Sequence, residues 1–270
     1  MIEKSAIIDW YDQAPWVSPA QVEQDLILSR ILCEIFSSPF LQEKLAFRGG
    51  TALNKLYFKP PLRYSEDIDL VQIHPGPIGD ILDVLRTIID PWLGEPKRKR
   101  NQGRVSLIYR FQAEEPTIPM RVKLEINSRE HFTALELTQI PFSIENQWYS
   151  GQAQITTYKI EELLATKFRA LYQRLKGRDL YDLFMALRLI NGINTGQIIE
   201  CFQHYMRQDK LFVSRAEFEK NMYEKLNSSD FLVDMQALLQ AEHKHDPVEE
   251  YKLVHQELVS KLPGDAWKGI

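Results

Sequence analysis

The chain has 270 residues, of which 44% are hydrophobic and 26% charged, a composition typical of a soluble globular protein with a sizeable core. Its net charge of −4 gives no global reason to expect nucleic-acid binding, so any such binding must come from local basic patches. No apolar run approaches the roughly 20 residues that span a bilayer, and the N-terminus shows no secretory signal pattern. Cys33 and Cys201 fall in apolar helical patterns, which predicts buried thiols in a reducing compartment and favours the cytoplasm.

The first predicted element is a long helix. Ser18 is a plausible N-cap before Pro19 at the first helical position, and apolar residues then recur at helical spacing as far as Phe36. Ser37-Ser38-Pro39 interrupts the pattern, and F-L-Q-E-K-L predicts a short second helix. We expect both helices to act as scaffold for the sheet that follows.

The stretch from Phe47 to Leu70 carries the chemistry, and it begins with a glycine pair at the start of a short predicted helix. Gly49 and Gly50 can adopt backbone angles closed to other residues and would let a triphosphate approach the main chain. Thr51 lies where a helix N-terminus presents free N–H groups and a positive dipole end to an anion, with its hydroxyl as a further donor. The pattern predicts a phosphate site.

Two carboxylates follow in D-I-D-L-V, an apolar and β-branched run that predicts a strand. Asp67 and Asp69 would share one face of this strand and could converge on a divalent ion, while Ile68 and Leu70 would point into the core. Ligation by oxygen alone suits Mg²⁺, or Mn²⁺, held jointly by carboxylates and substrate phosphates. A lone D-x-D is weak evidence, because paired acids at a strand edge are more often solvated surface.

A further helix and a basic segment come next. I-L-D-V-L-R-T-I-I-D-P-W predicts an amphipathic helix that stops at Pro91. Lys97–Arg100, K-R-K-R, is the most basic short run of the chain, and it suits either contact with a nucleic-acid backbone or a solvated hairpin loop. V-S-L-I-Y-R-F-Q and M-R-V-K-L-E-I-N alternate and predict two sheet strands, the second with Glu125 on its polar face.

The composition changes in the second half of the chain. L-T-Q-I-P-F-S-I and A-Q-I-T-T-Y predict short extended segments, whereas consecutive amphipathic helices are expected beyond about Thr157. The first of these helices is predicted to break at Gly177 and to restart with R-D-L-Y-D-L-F-M-A-L-R-L-I. Three or four more are predicted, at about 194–208, 214–227, 229–241 and 247–260. We therefore predict an α+β core over residues 1–150 and a helical domain over residues 151–270.

The string G-G-T-A-L-N-K-L-Y…R-Y-S-E-D-I-D-L resembles the signature of the DNA polymerase β-type nucleotidyltransferase superfamily, and within it the AbiEii/AbiGii toxin family. This resemblance implies a nucleotidyltransferase fold, a mixed β-sheet with flanking helices followed by a C-terminal helical domain. It adds Lys55, Arg63 and Ser65 to the expected nucleotide-binding residues. K-L-E-I-N resembles the strand that carries the third catalytic acid, here Glu125, although an ordinary exposed glutamate is the alternative. Thr51 departs from the serine usual in the broad superfamily.

A second block, L-L-A-T-K-F-R-A-L…R-D-L-Y-D-L-F, resembles the family motif that borders the nucleotide site and through which the helical domain completes it. By this resemblance Lys167 would meet the triphosphate and stabilise charge on the leaving pyrophosphate. Asp182 or Asp179 would fix that lysine or contribute to the site, with Arg178 beside them. The alternative is an ion-pair network between two helices.

The resemblance implies a Mg²⁺-dependent enzyme that moves a nucleoside monophosphate from an NTP to an acceptor hydroxyl. Family members modify RNA, in some cases tRNA 3′ ends, and serve as toxins of type IV-like toxin–antitoxin or abortive-infection systems. The expected partners are therefore an NTP, an RNA acceptor and a cognate antitoxin or its DNA-binding partner, with no membrane. Two alternatives keep the fold: a small-molecule nucleotidyltransferase of the antibiotic-modifying type, and a catalytically silent nucleotide-binding protein.

Overall fold

A computed structural model describes residues 2–114, 116–235, 238–239 and 245–269. Its strands are β1 (Leu45–Arg48), β2 (Asp67–Gln72), β3 (Lys97–Asn101), β4 (Arg104–Gln112), β5 (Pro119–Asn127), β6 (Leu137–Ile144) and β7 (Gly151–Tyr158). Its helices are α1 (Lys4–Asp9), α2 (Pro19–Ser37), α3 (Pro39–Lys44), α4 (Gly49–Leu56), α5 (Gly79–Leu93), α6 (Ile160–Gln173), α7 (Gly177–Leu189), α8 (Thr195–Gln208), α9 (Arg215–Leu226), α10 (Ser229–Val233) and α11 (Pro247–Glu257).

The strands form one seven-stranded sheet in the order β3-β4-β5-β2-β1-β7-β6. β2 runs antiparallel to β1 and parallel to β5, so the sheet is mixed. The predicted architecture, a mixed sheet with flanking helices followed by a helical region, is confirmed.

The chain divides into two compact units. The first is Met1–Phe132 with Leu137–Tyr158 and contains the whole sheet; the second is Thr133–Glu136 with Lys159–Ile270. Glu162 explains why the short 133–136 segment belongs to the second unit. Its buried carboxylate accepts hydrogen bonds from Ala134 N at 2.7 Å and Leu135 N at 2.8 Å, and from the hydroxyl of Tyr205.

In the first unit, α2 packs against β5, β6 and β7 and is buried along most of its length. The predicted N-cap position of Ser18 is confirmed, although its side chain makes no capping hydrogen bond. Polar residues of α2 are buried as well, and each has a partner. Asp25, for example, accepts from Trp10 Nε1 at 2.9 Å. α2 therefore fixes the surrounding segments by hydrogen bonds in addition to apolar packing.

One local prediction in the first unit is wrong, and one open alternative is decided. Pro91 lies inside α5 and does not end it, because the helix needs only one further turn and Gly94 N closes that turn on Asp90 O at 3.0 Å. The K-R-K-R run, for which a solvated hairpin loop was one alternative, is exposed and lies in a hairpin, but it forms the edge strand β3 of that hairpin and not its loop. Its backbone pairs antiparallel with β4, and Gly103, with φ +76°, allows the tight connection.

Two predictions also fail in the second unit. Gly177 is the first residue of α7, and the break falls at residues 174–176. The glycine is needed there because a Cβ would overlap the backbone oxygen of Phe231. The helix predicted at 229–241 ends at Val233, and its expected last part includes residues 236–237 and 240–241, which lie outside the described residues.

The core of the second unit is aromatic: Phe168 stacks on Phe218 with ring centroids 4.3 Å apart and packs on Phe202 at 4.8 Å. Cys33 and Cys201 are free, buried thiols, as predicted. Among the described residues, no helix combines the length and apolar character required to cross a bilayer.

Candidate active site

The glycine turn joins β1 directly to α4. Gly49 has φ +85°, in the region that favours glycine, and a Cβ at this position would overlap Oδ2 of Asp69. Gly50 lies within α4 and has no positive φ. The first glycine is thus required twice, by its backbone angle and by the carboxylate packed against it.

Thr51, in the first turn of α4, is buried. Its Oγ1 donates to the backbone oxygen of Asp67 at 2.5 Å and lies 2.6 Å from Oγ of Ser65. We expected this hydroxyl to donate to a phosphate, but in the structure it fixes the start of β2 against α4. Thr51 and Ser65 therefore position the strand that carries the carboxylates.

Three carboxylates lie on one face of the sheet. Asp67 and Asp69 share a face of β2, whereas Ile68 and Leu70 are buried on the opposite face, as predicted. In the parallel pair of β2 and β5, Asp69 is in register with Glu125. Because paired residues on neighbouring strands point to the same side, Glu125 lies beside the D-x-D pair.

The charge of this site is only partly compensated. Burial raises the pKa of Asp69, the negative charge of Asp67 raises it further, and the guanidinium of Arg48 opposes the increase. Burial also raises the pKa of Asp67, against the hydrogen bond from Lys123. Raised carboxyl pKa values mean that the ionised forms are electrostatically disfavoured, so the site would gain from a bound cation.

Lys123 is a component of the site that we did not identify from the sequence. Its Nζ lies 2.9 Å from Asp67 Oδ2 and 3.4 Å from Glu125 Oε2. Burial lowers the pKa of Lys123, but the hydrogen bond to Asp67 and the neighbouring carboxylates raise it above its usual value overall. The available signal was the alternation of K-L-E, which places Lys123 and Glu125 on one strand face.

Arg48 is a second missed residue. It is aligned with Asp69 across the β1–β2 pair, and its Nη1 lies 2.5 Å from Oε2 of Glu130. Asn127 donates to the same carboxylate at 3.2 Å and holds it in place. Glu130 follows β5 in a loop, and no local pattern links it to Arg48.

The donor set suits a hard divalent cation. In the part of the chain that the structure describes, no group of three or more His, Cys, Asp or Glu side chains has the spacing of a metal site. Mg²⁺, however, is commonly held by one or two carboxylates, with water and substrate phosphates completing the shell. Asp67 and Asp69 could supply such oxygen ligands, with negative charge that Lys123 and Arg48 only partly compensate.

The basic residues expected to bind nucleotide in the first unit have protein partners. Lys55 turns toward α2, where its Nζ lies 2.5 Å from Asp25 Oδ1 and 2.9 Å from Ser29 Oγ. Arg63 is buried, and its Nη1 donates to Tyr64 O at 3.1 Å. Asn54 Oδ1 accepts from the backbone N–H of Arg63, so α4 also holds the loop that precedes β2.

In the second unit, the residues of the second motif form a buried ion-pair cluster. Lys167 Nζ lies 2.8 Å from Asp182 Oδ2 and 3.1 Å from Asp179 Oδ1, and Arg174 Nε lies 2.5 Å from Asp179 Oδ2. Burial alone would raise the pKa of Asp179, but the charges of Lys167 and Arg174 and their hydrogen bonds hold it at about 2. The structure thus contains the ion-pair network between two helices that was the alternative to a nucleotide role, and this network is buried.

Arg178 is placed differently from this cluster. Its backbone N–H donates to Asp234 Oδ2 at 3.2 Å, and its Nε lies 3.8 Å from the same oxygen. Lys176 pairs with Oδ1 of Asp234 at 3.1 Å. Both basic residues thus anchor the start of α7 to the end of α10.

A mixed sheet with a D-x-D strand beside a glycine turn is the arrangement of a nucleotidyltransferase core, and the chain is an enzyme of this class. It belongs to the AbiEii family: the family model described as the nucleotidyl transferase AbiEii toxin of type IV toxin–antitoxin systems matches residues 30–257. The resemblance seen in the sequence is thereby confirmed.

Solved structures support the fold. The chain is similar to MenT4, a nucleotidyltransferase toxin from Mycobacterium tuberculosis, with 16% identity and a TM-score of 0.70 over 98% of this chain and 92% of the other. It is also similar to JHP933 from Helicobacter pylori, with 20% identity and a TM-score of 0.56 over 91% of this chain and 96% of the other. A search of curated proteins finds no match.

Proposed function

We propose that this enzyme transfers a nucleoside monophosphate from an NTP to a hydroxyl group of RNA, with tRNA as the foremost acceptor. The observation that carries the proposal is the register of β2 and β5, which aligns Asp69 with Glu125 beside the glycine turn. Three carboxylates on one sheet face suit phosphoryl transfer, because this chemistry depends on positioning and charge neutralisation and needs no Ser, Cys or His nucleophile.

Asp67 and Asp69 would hold Mg²⁺ or Mn²⁺. When bound, the metal would neutralise charge on the phosphates and favour the ionised form of the attacking hydroxyl. Arg48 and Lys123 already offset part of the carboxylate charge. The side chains of this face thus prepare a site for a metal and a polyphosphate together.

In the proposed reaction, the Glu125 carboxylate accepts the proton of the acceptor hydroxyl. The hydroxyl oxygen forms a bond to the α-phosphorus, and the bond between that phosphorus and the bridging oxygen breaks, so that pyrophosphate leaves. Gly49 and Gly50 present the first backbone N–H groups of α4 to the phosphates. Thr51 and Ser65 keep β2 in place during the reaction.

The further nucleotide contacts are proposed from the family resemblance: Lys55, Arg63, Lys167 and Arg178, with Asp179 and Asp182 orienting Lys167. Lys55 and Lys167 pair with buried carboxylates in the structure, so each would have to exchange or share a partner to bind a phosphate. Because the two lysines have different carboxylate partners, the nucleotide role of each can be tested separately.

The biological role follows from the family. We propose that the enzyme acts as the toxin of a type IV toxin–antitoxin pair, neutralised by a separately encoded antitoxin, and that it contributes to abortive infection. The proposed substrates, NTP and tRNA, would place it in the cytoplasm.

One experiment separates the acceptor classes. Purified protein is incubated with Mg²⁺, each α-labelled NTP and total bacterial RNA, with Asp69→Asn as the control. Label in RNA that depends on Asp69 supports the proposal. Label in a small molecule would replace it with the antibiotic-modifying alternative, and the absence of transfer with every NTP and acceptor would favour a silent binding fold.

The toxin role is tested by growth. Expression of the intact chain should arrest a bacterial host, and expression of the Asp69→Asn chain should not. Co-expression of the neighbouring antitoxin gene, expected to encode a winged-helix protein, should restore growth. Equal growth with the intact and Asp69→Asn chains would contradict a toxin that acts by nucleotide transfer.

A further inference from the structure

The edge strand β3 carries four consecutive basic residues, Lys97, Arg98, Lys99 and Arg100, and all four are exposed. Basic residues on an edge strand discourage pairing with another sheet edge, which accounts for the charge but not for its distribution between the two faces. That distribution can be determined from the strand register.

Two of these four residues, Lys97 and Lys99, lie on the sheet face that carries Asp67, Asp69 and Glu125. Lys99 is aligned with Ser106, and Ser106 is aligned with Glu125. Lys97 is aligned with Ile108, and Ile108 with Lys123. Because aligned residues share a face, Lys97 and Lys99 project on the side of Glu125.

Arg98 and Arg100 project on the opposite side. They are aligned with Leu107 and Val105, which are buried on the face of β4 where Tyr109 donates to Asp90 of α5. The single strand β3 thus divides its four charges equally between the face of the carboxylates and the face that packs on helices.

The face of the carboxylates carries further exposed cations. Arg104, Arg110 and Arg121 belong to it by register and are exposed. Arg104 donates to Glu125 Oε1 at 3.1 Å, which connects the basic surface to the proposed base. Across the described residues, no carboxylate lies within salt-bridge distance of Lys97, Lys99 or Arg110.

The spacing of these cations across the sheet suits the binding of an extended polyanion. Neighbouring strands lie about 4.8 Å apart, so Lys99 is about 10 Å from Glu125 along the sheet. An acceptor strand whose terminal hydroxyl reaches Glu125 would place its preceding phosphates over β4 and β3. With a net charge of −4 for the chain, this local surface supplies attraction that the protein as a whole does not.

We propose that Lys97 and Lys99, with Arg104, Arg110 and Arg121, form the surface that binds the phosphate backbone of the RNA acceptor and leads its hydroxyl to Glu125. The inference rests on the proposed function and deepens it by assigning the acceptor path. Arg98 and Arg100 have the same exposure and strand but face away, so they have no part in this surface.

The experiment compares two matched variants, Lys97→Ala/Lys99→Ala and Arg98→Ala/Arg100→Ala, with the wild-type chain. Binding of 5′-fluorescein-labelled tRNA is measured by anisotropy without NTP, from 50 to 200 mM KCl. We expect the lysine variant to bind about tenfold more weakly and to show a salt slope smaller by about 1.4 to 1.8, the loss of two phosphate contacts. The arginine variant should bind like the wild type, and both should retain the wild-type melting temperature.

Two other binding results would contradict the proposed surface. Equal weakening of tRNA binding in both variants would show a general charge effect. Wild-type tRNA binding by the lysine variant would exclude β3 from the acceptor path. That result is expected if β3 instead binds an acidic partner protein. Transfer of labelled NMP to the same tRNA is measured in parallel. Wild-type transfer in the lysine variant at subsaturating tRNA would reject the surface while the proposed function stands. Face-specific tRNA binding without any transfer by the wild type would reject the proposed function instead.

Discussion

The ammonium of Lys123 on β5 lies 2.9 Å from Oδ2 of Asp67 on the neighbouring strand β2. Glu125 Oε2 is 3.4 Å from the same nitrogen, so an internal cation bridges two of the three carboxylates. A divalent metal held by Asp67 would lie close to this positive charge and be repelled by it. Lys123 is therefore a counterion for Asp67 and Glu125, and it would compete with a divalent metal bound by Asp67.

Replacing Lys123 by methionine should separate these two effects. Without metal, Lys123→Met should melt lower than the wild type, because Asp67 and Glu125 lose their shared counterion. With Mn²⁺ or Mg²⁺, its melting temperature should rise by more than that of the wild type, because ligand binding to the folded state adds stability in proportion to affinity. Arg98→Met, which removes an exposed cation from the opposite face, is the control. A metal-dependent rise no larger than the wild-type value would contradict competition.

Gly49 should tolerate no side chain. Gly49→Ala would have to adopt φ +85° and displace the Asp69 carboxylate, which costs about 1 to 3 kcal/mol in backbone strain and moves a proposed metal ligand. We expect transfer to fall by about a hundredfold or more. Gly79→Ala is the matched control, since this glycine begins α5 with open space around it. Wild-type turnover in Gly49→Ala would show that the position of Asp69 is not critical.

Lys167 needs a test that separates catalysis from stability. Lys167→Met leaves two buried carboxylates with one fewer cation, which should cost about 3 to 5 kcal/mol of unfolding free energy. Lys167→Met/Asp182→Asn removes both charges of one pair and should regain much of that stability. If Lys167 binds the triphosphate, the double variant should still turn over about ten- to a hundredfold more slowly.

Asp182→Asn alone provides the reference for the double variant. Turnover is measured on preparations whose folded fraction has been established by thermal denaturation. Recovery of turnover together with stability in Lys167→Met/Asp182→Asn would reduce Lys167 to a structural role.

Protonation of Asp179 should account for part of the loss of folding stability at acid pH. Its pKa of about 2 in the folded protein lies below the usual value of 3.8, so its ionised form stabilises the fold. That contribution is fully present above about pH 4 and is lost as the pH falls toward 2, with a size of about 2 kcal/mol. Asp179→Asn should be less stable than the wild type at pH 7 and lose less further stability between pH 4 and 2. Urea unfolding at each pH measures this difference, and parallel curves for the two proteins would contradict it.

The site shows where sequence patterns suffice and where they do not. D-I-D-L-V predicted the shared face of Asp67 and Asp69, because alternation along a strand is a local property. The pairing of Lys123 with Asp67 depends on which strands are neighbours, and β2 and β5 are separated by about 50 residues of chain. Likewise the sequence of K-R-K-R suited a solvated hairpin loop, and only the partner strand β4 supplies the backbone hydrogen bonds that make the run a strand.

By itself, the sequence determined the family, the mixed sheet followed by helices, and the chemical types at the site. These follow from motif order and from residue periodicity, which are encoded within short segments. Only the tertiary structure decided which charges meet: Lys123 with Asp67, Arg48 with Glu130, and Lys167 with two buried aspartates. The reason is physical, because burial and charge pairing arise between segments distant in the chain, and strand order and helix packing bring those segments together.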